Sequence, residues 1–114
     1  MTEIRDKWGM DFTGFDNGLT PEQEGAEGSN MFIQEEKYFK AYSLYFSKFI
    51  EAYRKQKINI SMVMPQNEFN SAQVFPSCTW TAKGLSTFLH YLVPEMKKQQ
   101  VDVFFGTMER ANYK

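Results

Sequence analysis

The chain has 114 residues, a formal net charge of −1, and is 42% hydrophobic and 17% aromatic. Those values suit one small packed domain rather than a disordered tail, and they exclude the basic footprint of a nucleic-acid binder. The single cysteine, Cys78, excludes an internal disulfide and a cysteine-built zinc site. No apolar run reaches the roughly 18–20 residues of a transmembrane segment. Met1 to Lys7 is polar and charged, without a signal-peptide core, so localisation stays open, a secreted or periplasmic parent included.

Residues 1–30 read as an acidic, glycine-rich loop region. Gly14, Gly18, Gly25 and Gly28 punctuate it, Asn17-Gly18 is a turn dipeptide, and Glu22, Glu24 and Glu27 add charge. Trp8, Phe12 and Phe15 set it apart from plain disorder. A helix is predicted from about Gln34 to Gln56. Phe39, Tyr42, Phe46, Phe49 and Tyr53 recur every three or four residues as one apolar stripe, widened by Tyr38, Tyr45 and Ile50. Such spacing makes the stripe core rather than a sugar platform. Early acids (Glu35, Glu36) and late bases (Arg54, Lys55) complement the helix dipole, and Glu36–Lys40 and Glu51–Lys55 are oriented ion pairs.

Ile58 to Met64 reads as a strand buried on both faces, broken by Pro65 and followed by the polar Gln66-Asn67-Glu68. The glycosylation pattern Asn59-Ile60-Ser61 falls inside that strand and is discounted for that reason. Asn67 to Thr79 is a loop. Thr81 caps a second helix, Ala82 to about Gln99, with Leu85, Phe88, Leu89, Leu92 and Met96 on its apolar face. Pro94 is expected to kink that helix or to end its first part at Val93. Val101 to Phe105 is a second strand, running into the polar Gly106 to Arg110. The order of elements implies an α/β fold with parallel strands joined by helical crossovers. Two such strands do not make a stable sheet, so the chain is expected to be a slice of something larger.

Candidate chemistry lies beyond the carboxyl end of the first strand, where α/β folds bind ligands. A partly desolvated Glu68 there can act as a general acid, with Asn67 beside it to bind a hydroxyl. The alternative is a solvated polar loop, which spacing alone favours. Glu109, ending the second strand, either faces the same pocket or pairs with a surface charge such as Arg110. His90 falls with Lys83, Ser86 and Lys97 on a polar helix face and reads as a solvent residue; Cys78 reads as packing. Trp8 and Trp80 either stack on a sugar ring or close the top of a core.

The segment MVMPQNEFNSAQVFPSCTWT resembles the acid/base region of glycoside hydrolase family 30, the glucosylceramidase-like and endo-β-1,6-glucanase-like enzymes. The likeness extends back over EEKYFKAYSLYFSKFIEAYRKQ and forward through VDVFFGTMERAN, about residues 31–112. It implies a (β/α)₈ TIM barrel, here partial, from about its third helix to its fifth strand, with residues 31–114 as part of the catalytic domain. By motif match, Glu68 takes the place of the general acid/base of a retaining β-glycosidase. Asn67 takes that of the contact to the sugar 2-hydroxyl, and Trp80 is a candidate substrate contact. Phe69 departs from the proline found there in many members. The resemblance places the nucleophile on a later strand, beyond Lys114. It implies a carbohydrate or glycolipid substrate and no cofactor or metal, with the rest of the barrel needed for folding and activity. Two rival readings are a non-catalytic glycan-binding relative of the same fold and a small α/β interaction module.

Overall fold

The computed structural model describes residues 29–71 and 78–106. The expectations for residues 1–28, Trp8 among them, for residues 72–77, and for Glu109 and Arg110 lie outside the described residues. The described elements are α1 (Glu36–Lys55), β1 (Met62–Val63), α2 (Ala82–Lys98) and β2 (Asp102–Val103). The strands pair in parallel, Met62 opposite Asp102 and Val63 opposite Val103. Asp102 N–H donates to Ser61 O and Phe104 N–H to Val63 O, both at 2.9 Å. A single β–α–β unit of this kind is the building block of open doubly wound sheets and closed barrels alike.

α2 begins as its residues dictate. Thr81 is extended and its hydroxyl accepts from Gly84 N–H at 3.0 Å, satisfying one donor left over in the first turn. The Asn30 side chain lies against the same turn, where a Cβ on Gly84 would run into it. Ser29 Oγ and Thr79 Oγ1 are 2.8 Å apart, and Met31 N–H donates to Thr79 O at 2.8 Å. The segment from Ser29 is thus attached to the start of α2.

Pro94 neither stops α2 nor divides it at Val93; the helix runs unbroken to Lys98. The missing N–H at Pro94 leaves the carbonyl of His90 without its helical donor. His90 and Pro94 are both exposed, so water can serve that carbonyl.

Both helices end in the same way. Ile58 N–H donates to Tyr53 O and Lys57 N–H to Arg54 O, while Val101 N–H donates to Met96 O and Gln100 N–H to Lys97 O. This paired pattern is the Schellman motif, and it requires the left-handed backbone seen at Lys57 (φ 60°) and Gln100 (φ 59°). The two ends are tied to each other by Arg54, whose Nη1 and Nη2 donate to Gln99 Oε1 and O at 2.9 and 2.7 Å.

The core lies between the helices and under the strand ends. Phe39 and Ile50 of α1 meet Leu85, Phe88, Leu92 and Met96 of α2, with Phe69, Trp80 and Val101 completing it. Phe32 stacks on Trp80 (4.6 Å between ring centres), Tyr42 (5.3 Å) and Phe39 (5.8 Å), so the aromatic surplus goes mainly into one cluster.

The expected stripe on α1 is only partly core. Phe39 and Ile50 are buried and Tyr42 and Phe46 half-buried, but Phe49, Tyr53, Tyr38 and Tyr45 are exposed. Ser43 and Ser47 of α1 are buried instead. Ser43 Oγ donates to Phe39 O at 2.8 Å, and Ser47 Oγ donates to Glu95 Oε2 on α2 at 3.3 Å. Small hydroxyl side chains at these buried positions take less room between the helices than large rings would. Glu36–Lys40 forms at 2.7 Å, but Glu51 takes Lys48 and Gln99 rather than Lys55.

The strand expected over residues 58–64 is corrected too. Only Met62 and Val63 are paired, and Ile58, Met62 and Met64 are exposed. Val63 and Val103 face the helices, while Met62 shares the opposite face with Asp102, and no described element covers that face. Asn59 and Ser61 lie ahead of β1 and are exposed, so burial in a strand is not what argues against the acceptor pattern there.

Candidate active site

The segment leaving β1 is built from its residues outward. Pro65 is buried and turns the chain, and Gln66 follows at the level where β2 also ends. Gly106, at φ 109°, brings the end of β2 so close that a Cβ there would lie 2.5 Å from Gln66 O. Any other residue at 106 would push the two strand ends apart. The site therefore sits at the carboxyl ends of both parallel strands.

Asn67 is exposed and Glu68 half-buried, followed by Phe69, whose ring is in the core. Glu68 has a left-handed backbone, φ 43°. For Lys57 and Gln100 that conformation is explained by helix termination; Glu68 ends no helix. A non-glycine residue held in this region costs on the order of 1–3 kcal/mol and persists only where its surroundings over-determine it. Here they do. Ser71 N–H donates to Glu68 O at 2.9 Å, and Trp80 N–H donates to Phe69 O at 2.8 Å. Gln66 Nε2 donates to Asn67 O at 3.3 Å and Gln66 Oε1 accepts from Trp80 Nε1–H at 3.2 Å.

Trp80 is 2% exposed, stacked on Phe32 and packed against Phe88. Of its two roles, the structure gives it the core-closing one: a ring covered this way has no face open for a sugar. Its connection with the site runs through hydrogen bonds to Gln66 and Phe69. That role was not legible in the spacing of residues, because it depends on a contact between positions fourteen apart.

The remaining candidates are quickly placed. Cys78 is half-buried and burial pushes its thiol pKa up, the opposite of an activated thiolate. His90 is exposed, with Nδ1 2.8 Å from Ser86 O in its own helix. Among the described residues there is no cluster of three metal-ligating side chains. No described helix is long and apolar enough to cross a membrane. An apolar hollow of about 310 Å³ lies beside the turn, lined by Phe69, Leu85, Leu89 and Phe105 among others.

Comparison with protein-family models and with curated proteins returned no match.

Proposed function

We propose that these residues are part of a retaining glycoside hydrolase of family 30 type, with Glu68 as general acid/base and Asn67 as the partner of a substrate hydroxyl. The observation that carries this reading is the strained, doubly held backbone at Glu68, at the carboxyl end of a parallel strand pair. Backbone strain of this kind concentrates at functional sites. The motif likeness of residues 31–112 supplies the reaction. Glu68 protonates the departing glycosidic oxygen while a second carboxylate, outside these 114 residues, attacks the anomeric carbon. Glu68 then removes a proton from the water that releases the sugar.

A partial (β/α)₈ barrel also accounts for the surface left apolar. Met62, with Asp102 beside it, would face the barrel interior. Tyr45, Phe49 and Met64, which with Ile60 and Met62 among others line a groove of about 290 Å³, would meet the next β–α unit.

The test is Glu68→Gln in the full-length protein, assayed on β-glycosides with poor and good leaving groups. Turnover of the poor-leaving-group substrate is expected to fall by roughly 10²–10⁴-fold, the usual worth of a positioned acid. The rate of the glycosylation step on an activated aryl glycoside should fall much less. Unchanged turnover on the poor substrate overturns the assignment, and binding of glycan without cleavage by the wild type would favour a non-catalytic relative.

A further inference from the structure

Resting on that reading of Glu68, we propose that Trp80 and Gln66 are positioning residues that set the orientation of the Glu68 carboxyl through the peptide bond preceding it. The Gln66 carboxamide has one bonding arrangement that satisfies both neighbours. Its oxygen must face the Trp80 ring N–H, which can only donate, and its amide must then face the Asn67 carbonyl, which can only accept. That carbonyl belongs to the peptide unit linking Asn67 to Glu68. The tilt of this unit about the N–Cα bond of Glu68 is its φ angle, the strained one. The chain Trp80 ring to Gln66 carboxamide to Asn67 carbonyl therefore holds the plane from which the Glu68 side chain departs.

Each link has an anchor of its own. The Trp80 ring is packed against both Phe32 and Phe88, and its backbone N–H holds Phe69 on the far side of Glu68. Gly106, just past β2, runs so close to the Gln66 carbonyl that no side chain fits between them. Ser71 N–H fixes the peptide after Glu68. Loss of the Trp80–Gln66 bond frees the preceding plane alone, leaving the fold around it in place.

The experiment uses the full-length protein with Trp80→Phe, which keeps a ring and removes the donor, Gln66→Met, which keeps the length and removes the acceptor, and the double variant. The readout is kcat/KM on poor- and good-leaving-group β-glycosides, because a misplaced acid matters only where the leaving oxygen needs a proton. Each single variant should lose on the order of 10- to 100-fold on the poor substrate, with little loss on the good one. The double variant should lose no more than the worse single, since both break one link. Equal losses on the two substrates indicate damage to the fold alone and overturn the proposal, as do additive losses or none. Gln66 is half-buried and outside the core, so Gln66→Met decides the matter if Trp80→Phe does not fold. A Glu68→Gln control separates the two ideas: if it leaves the poor substrate unaffected, the acid/base reading itself is wrong. If it is severe while Trp80→Phe and Gln66→Met are silent, only the positioning role fails.

Discussion

Gly106 and Glu68 both carry positive φ angles within a few residues of the strand ends, but for different reasons. Gly106 is there because backbone approaches backbone: the Gln66 carbonyl occupies the space of a side chain. Glu68 carries a full side chain in a conformation that glycine or asparagine would adopt with less strain, and three backbone carbonyls around it are held by donors. The first position demands its residue type for steric reasons; the second carries strain that the hydrogen bonds around it hold in place. Gly106→Ala should therefore destabilise the protein by at least about 1–3 kcal/mol, through the unfavourable φ and the overlap with Gln66. A denaturation midpoint unchanged from wild type would mean that the strand ends are not in contact there.

At the scale of elements, the two helices share one stop signal, the paired hydrogen bonds of a Schellman end, and in both cases the left-handed residue is not glycine. At the end of α2 the accompanying apolar contact is present, since Met96 and Val101 are both buried. At the end of α1, Tyr53 and Ile58 are both exposed. The left-handed conformation at Gln100 costs about 1–2 kcal/mol relative to glycine, less the extra entropy that glycine loses on folding. Gln100→Gly should raise stability by up to about 1 kcal/mol. A urea or guanidinium midpoint that falls would argue that the Gln100 side chain makes a contact worth more than the strain.

For the whole molecule, the described residues bury one side of a two-stranded sheet and leave Met62, Met64, Phe104, Phe105, Phe49 and Tyr45 exposed. A two-stranded sheet depends on what it packs against for stability, and here the described residues supply helices on one face only. The 114-residue chain studied by itself should unfold without a sharp transition, or self-associate as its concentration rises. Chemical denaturation followed by circular dichroism checks this. A cooperative, concentration-independent transition with the slope of a compact domain of this size would oppose it and favour a self-sufficient α/β module.

Local signals were enough for what local physics controls. The span of α1, the Thr81 cap, the start of α2 and the parallel relation of the strands follow from apolar period, capping residues and element order. Glu68 and Asn67 stood out because a strand ends just ahead of them. What depended on distant partners was not legible. Ser43 and Ser47, rather than Phe49 and Tyr53, face α2, since helix closure rewards small residues at the contact. Pro94 continues its helix because the carbonyl that loses its donor is on the wet side. Trp80 went into the core because Phe32 was there to stack on it, and only that placement turns its ring N–H toward Gln66. Composition and period determined which elements form; the tertiary structure decided which faces are buried and how the peptide before Glu68 is held, because both depend on residues far apart in the chain.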